Sequence, residues 1–281
     1  MLLGLAKGKV GDLVFYRDGG EQRTRTRVIP KNPRTPAQMA QRVKIANASA
    51  LYRTIAAVLF DSFPSRPSNQ SGYNAFSSAA ISLAPYMTKQ QASSACVLPQ
   101  PAIVSKGTLS TIEYSGYNGG EDAATALAIK GQFEADASLD QVFDAIVSQY
   151  PSIKNGDELT FVSVSFDAVE GVDIDDKVYS AVAYINNVKV DLDADDALSS
   201  IGLVFQGNTL SDAKMVADWT DGIALQAIIH SRVDGNGQLQ VSTQWARLSP
   251  GALSLYEGYR DEAAKERAIE SYMVSGEPVL R

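Results

Sequence analysis

The chain has 281 residues, 45% hydrophobic and 20% charged, with a formal net charge of −7. Such a chain holds one large or two ordinary folded domains and is neither disordered nor low in complexity. One cysteine and one histidine exclude an internal disulfide, zinc-finger spacing and a multi-histidine metal site, and they leave little room for a catalytic triad.

The charge is unevenly spread. Residues 1–53 hold eleven Lys/Arg and three acids, +8, which leaves −15 for the remainder. That asymmetry points to an acidic partner for the basic part: nucleic acid, another protein, or the acidic body of a second copy. No apolar run is long enough to span a membrane. Met1 to Ala6 is too short for the apolar region of a signal peptide, so a cytosolic product is expected.

Asp12 to Val28 reads as a hairpin. Leu13-Val14-Phe15-Tyr16 alternates as a strand, Asp18-Gly19-Gly20 supplies a turn tolerant of positive φ, and Gln22 to Ile29 returns. Side chains alternate along a strand, so Arg23, Arg25 and Arg27 share one face. Three adjacent guanidiniums point to phosphates or an acidic protein surface, or to a solvated edge strand blunted against aggregation.

Thr35-Pro36-Ala37-Gln38 reads as a helix start, with a capping hydroxyl, a proline at the first helical position and a Gln able to close a capping box. No Pro or Gly follows until Pro64. The apolar stripe Met39, Val43, Ala46, Ala50, Ile55, Val58, Leu59 therefore predicts one amphipathic helix to Ser62. At 1.5 Å per residue it would be roughly 40 Å long, a strut or docking element more than part of an interior.

Tyr73–Leu83 and the turn capped by Thr88 read as short helices, and Cys96–Ile103 as extended. Cys96 in its apolar run reads as a buried hydrophobe. Beyond residue 104 the texture is β, interrupted by a helix capped by Ser138 over Leu139–Tyr150. Glu158–Phe166 is a strong strand. Val178–Ile185 and Val188–Leu192 read as two strands joined by a tight turn at Asn186-Asn187. Ile201–Phe205 is another strand. Ile223–Arg232 and Gln238–Leu248 flank Asp234-Gly235-Asn236-Gly237 as a hairpin that carries His230, read as a satisfied structural histidine. Asp191, Asp193 and Asp195 imitate a calcium loop, but Asp196 and Gly202 stand where its glycine and glutamate belong. Asp261–Met273 is a charged helix, and Glu277 to Arg281 a tail.

Gly8-Lys9-Val10-Gly11, Val14-Phe15-Tyr16-Arg17 and Lys31-Asn32-Pro33-Arg34-Thr35-Pro36-Ala37-Gln38, leading into Gln41-Arg42, resemble uncharacterised proteins of Bacteroidetes bacteria and their phages. In those a ribbon of the G-x-x-G-x-V kind precedes N-P-R-T-x-A-Q and β-rich domains. The likeness covers about the first 55 residues. It implies no enzyme activity and no catalytic residue, and it favours a phage-encoded protein, virion-structural or DNA-associated.

The expected fold is α+β. A β-hairpin and long-helix module (1–100) precedes an acidic, antiparallel β-sandwich-like body (101–281), with a subdomain split near 195–200. The expected function is a non-enzymatic virion or assembly protein that self-associates through its basic arm, needing no cofactor or metal, in the cytoplasm of an infected bacterial cell or in the virion. The alternative is nucleic-acid binding. In either case Tyr16, Arg17, Arg23, Arg25, Arg27, Lys31, Arg34 and Arg42 meet the partner.

Overall fold

The computed structural model describes residues 7–18, 20–29, 35–59, 61–112, 127–128, 138–170, 176–196, 204–205, 214–216 and 222–273. The chain opens with a three-stranded antiparallel ribbon of β1 (Gly8–Val10), β2 (Leu13–Asp18) and β3 (Glu21–Thr26). Its first turn is two residues long, because Val10 pairs with Leu13. Gly11 sits there at φ +58°, in the left-handed region that such tight turns favour.

Helix α1 (Pro36–Thr54) starts where the sequence predicts, with the Thr35 hydroxyl accepting from the Gln38 N–H and Pro36 in the first turn, but the Gln38 side chain does not close the expected capping box. It does not run to Ser62. It ends at Ile55 (φ −112°, ψ 18°), and a single turn, α2 (Ala56–Leu59), follows. The Thr54 hydroxyl donates back to the Ala50 carbonyl at 3.1 Å, an i−4 bond that loosens a helix end without Pro or Gly. Nineteen residues give about 28 Å. Nor is α1 a protruding strut, since Met39, Val43, Asn47, Leu51 and Ile55 are all buried. Asn47 is fully satisfied inside. Its amide nitrogen donates to Leu98 O and Gln100 Oε1, and its Oδ1 accepts from Leu98 N.

Two short helices follow, α3 (Gly72–Ala80) and α4 (Lys89–Ser93), the latter closed by a Thr88/Gln91 capping box. Next come β4 (Ala102–Ser105), β5 (Leu127–Ala128) and α5 (Leu139–Gln149). Ser138 is the N-cap residue of α5, but its side chain makes no capping bond; its hydroxyl donates to Asp140 instead. Strand β6 (Glu158–Ala168) pairs along its whole length with β7 (Tyr179–Lys189). The expected turn at Asn186-Asn187 is therefore absent, and these residues face Phe161 and Thr160 in the ladder. Strands β8 (Val204–Phe205) and β9 (Lys214–Val216) pair with each other, and β9 with β5. The C-terminal part holds β10 (Ala224–Val233), β11 (Leu239–Val241), β12 (Gln244–Leu248), α6 (Pro250–Gly258) and α7 (Glu262–Met273). Residues 113–126, 129–137, 197–203 and 274–281 lie outside the described residues. With them go part of the β-textured stretch beyond residue 104, most of the predicted strand Ile201–Phe205, the split near 195–200 and the C-terminal tail.

The central sheet is antiparallel, in order β4-β12-β10-β6-β7 with β11 beside β10. The α+β class is thus borne out. Alternation then assigns the two faces. Val162, Val164 and Phe166 of β6, with Leu225, Ala227 and Ile229 of β10, pack under Leu51, Phe76 and Ala252 from α1, α3 and α6. Leu159, Phe161 and Ile228 point the opposite way, under Val142, Phe143 and Ile146 of α5. Both covering layers are helical among the described residues. The first cluster draws residues from both sides of position 100, from Ala48 to Ala252.

Candidate functional site

The residues singled out in the sequence sit mainly on the ribbon, which is all but separate from the core. Every β3 residue is exposed, and no described residue before Met39 belongs to the buried set. Cross-strand register fixes what each face carries. Val14 lies opposite Arg25 and Lys9, Tyr16 opposite Arg23, and Asp18 opposite Glu21. Arg23 Nη1 lies 3.4 Å from Asp18 Oδ2 and Nη2 3.5 Å from Glu21 Oε2. The Arg25 guanidinium stands 5.6 Å from the Tyr16 ring centroid. The arginine face thus supplies part of its own counter-charge. Exposed pairs of this kind contribute about 0–1 kcal/mol each, and so orient side chains more than they stabilise the ribbon.

The opposite face carries Leu13, Phe15 and Val10, with Arg17 opposite Gln22 at its end. Val10 is 67% and Leu13 47% exposed. Past β3, the Arg27 N–H donates to Asp12 O and prolongs the pairing, and Val28 and Ile29 are exposed. Lys31 and Arg34 lie outside the described residues. Arg42 belongs to α1, where its guanidinium donates to Met39 Sδ. Tyr16, Arg23 and Arg25 therefore share one surface, Arg17 takes the other, and Arg42 sits on a helix of the body.

The body contains a polar cluster that sequence reasoning missed. Asp157, 2% exposed, accepts from His230 Nε2 at 2.7 Å, from Arg232 Nε and Nη2 at 2.6 and 2.5 Å, and from the Lys154 N–H at 2.7 Å. Arg232 also donates to the Ser152 carbonyl. Burial alone would raise the Asp157 carboxyl; bonds from Arg232, His230 and Lys154 outweigh it and hold the group below its ordinary range. Burial pushes the His230 imidazole down, and hydrogen bonding to Asp157 only partly opposes this. The ring is thus a neutral donor through Nε2. It is buried as expected but not fully satisfied, because Nδ1 has no partner. His230 has no exposed surface, and the cluster ties the 152–157 turn to β10. The legible signal was His230 and Arg232 two apart on an apolar strand: two basic groups on one buried face call for an acid.

Cys96 is 1% exposed, and burial pushes its thiol up to about 11. A cleft of about 340 Å³ opens beside the sheet, its polar lining including Asp61, Glu158, Thr160, Asn187 and Ser231. It shares Asp61 and Leu239 with an open groove at Arg66 and Gln70. Among the described residues no helix is long and apolar enough to cross a membrane.

These features define an α+β protein with a helix-covered antiparallel sheet and a projecting N-terminal ribbon. No family model, curated relative or solved structure matches the chain.

Proposed function

We propose that this is a non-enzymatic structural protein of a phage particle or a similar assembly, in which the N-terminal ribbon of one copy docks on the body of another. The observation that carries the reading is the apolar face of exposed Val10 and Leu13 and half-buried Phe15, on a ribbon in which no described residue is fully buried. A small sheet needs one hydrophobic face covered to hold its shape in water, and a neighbouring body would supply the cover. The +8 of residues 1–53 against −15 elsewhere would steer the same contact.

Nucleic-acid binding is the weaker reading. Asp18 and Glu21 share the arginine face, where they would repel phosphates, and Tyr16 is already faced by Arg25. The test is a full-length Leu13→Glu/Phe15→Glu variant compared with wild type by sedimentation over a range of concentrations. Loss of the larger species with an unchanged far-ultraviolet spectrum is expected. A variant that assembles like wild type would sink the proposal, as would wild-type mass that comes from bound nucleic acid released by salt.

A further inference from the structure

Strand β7 ends the central sheet, and no strand lies beyond it among the described residues. It is eleven residues long and uncharged from Ser180 to Val188. Edges of that kind invite pairing, and folded proteins usually blunt them with charge, proline, a bulge or a cover. Among the described residues none of these protects the outer edge of β7 from Ala181 to Asn187. Its start is occupied: the Tyr179 carbonyl accepts from Val97 N and its N–H donates to Cys96 Sγ. Those bonds run away from β6. Alternation therefore places the N–H and C=O groups of Ala181, Ala183, Ile185 and Asn187 on the same outer side. The side chains beside this open stretch are apolar on both faces. Val182 is 46% and Tyr184 62% exposed on one face, and Ile185 39% on the other.

We infer that β7 is a self-pairing edge: two copies join antiparallel about a twofold axis at Tyr184, making one continuous sheet. The register follows from the four open residues. Centring the axis on Tyr184 pairs Ala181 with Asn187 and Ala183 with Ile185 of the second copy, and it leaves the occupied Tyr179 outside. Tyr184 then meets its own copy at a non-hydrogen-bonded position, where cross-strand aromatic pairs lie closest. The contact is isologous, so one patch serves both partners. The occupant is a second β7, not the ribbon: the ribbon's β3 reads Glu-Gln-Arg-Thr-Arg-Thr, and the middle of β7 offers its arginines no counter-charge. This interface uses a different surface from the ribbon contact and does not depend on it.

The test is made on the full-length protein. Tyr184→Cys should give a disulfide-linked dimer under mild oxidation, because facing residues at such a position lie about 4.5 Å apart between Cα atoms. Ser180→Cys on the same strand should not, since the two copies of that residue lie roughly 27 Å apart at about 3.4 Å per residue. Cys96 is buried and does not compete. Leu13→Glu/Phe15→Glu should leave the β7 dimer intact, and Tyr184→Lys or, separately, Ala183→Pro added to that ribbon variant should convert the dimer to monomer in sedimentation. Equal cross-linking of the two cysteine variants, or a dimer unchanged by both Tyr184→Lys and Ala183→Pro in that background, would overturn the inference. So would a wild-type protein that is monomeric throughout.

Discussion

The ribbon and the central sheet are built from the same kind of strand but solve the burial problem in opposite ways. In β6 and β10 each face finds a helix: α1, α3 and α6 on one side, α5 on the other. In β2 and β3 no residue is fully buried, and the ribbon's polar contacts lie in solvent. Alternating sequence alone does not make a sheet stable; a second layer does. The body supplies its own layer, and the ribbon is argued to borrow one from a neighbour.

The sharpest way to break this contrast is to make matched changes in the two regions. Phe143→Ala removes a fully buried ring from α5 and should cost about 3–5 kcal/mol of unfolding free energy. Leu13→Ala in the ribbon should stay within about 0.5 kcal/mol. Urea denaturation of the two variants measures the difference, and equal effects would mean that the ribbon has a core of its own.

Removing an acid gives the next contrast. Asp157→Ala strands a buried imidazole and a mostly buried guanidinium, for about 3 kcal/mol. Asp18→Ala exposes nothing new and should lie within about 0.5 kcal/mol.

A smaller effect is expected from a single methyl group. A Cβ on Gly107 would lie 2.3 Å from the Val241 carbonyl oxygen, whereas one on Gly235 meets nothing. Gly107→Ala should cost about 1–3 kcal/mol, and Gly235→Ala should be near neutral in a thermal melt.

The pH response should be the mildest near neutrality and belong to the body alone. The imidazole of His230 is depressed in the folded state, so the unfolded chain binds the extra proton first. Stability is whole above about 6.5, the unfolded value, and declines as pH falls below it. Asp157 is also depressed; its contribution is whole above about 3.9 and is lost as pH falls through its lower folded value. Urea midpoints should thus fall in two stages on acidification. His230→Gln should remove the first stage and keep the second.

Local chemistry was legible in the sequence, and tertiary partners were not. The ribbon turn after Asp18, the Thr35-Pro36 helix start, the Thr88 cap and the β10–β12 hairpin each rest on a few adjacent residues, and each appears where expected. Ser249-Pro250 repeats the Thr35-Pro36 signal and opens α6, so that helix was legible but unread. The depth of α1 was hidden, because an apolar stripe does not say how much will cover it. The strand through Asn186-Asn187 was hidden because β6 supplies ladder partners that override the turn tendency of the pair. Asp157 lies 73 residues from His230, and sequence spacing carries no trace of that bond. At the ribbon, the face shared by Arg23 and Arg25 is where alternation puts it. Of the acids on that face, Glu21 shares it by alternation along β3, whereas Asp18 is brought there by register, which strand periodicity alone does not set.

The most direct test of the ribbon's role is light scattering with in-line absorbance on natively purified protein, wild type beside Leu13→Glu/Phe15→Glu, across a dilution series. The account predicts wild-type species that grow beyond a dimer with concentration and carry no nucleic acid, and a variant that stops at the dimer. Identical mass distributions for the two proteins, or wild-type growth that vanishes when nucleic acid is removed, would contradict it.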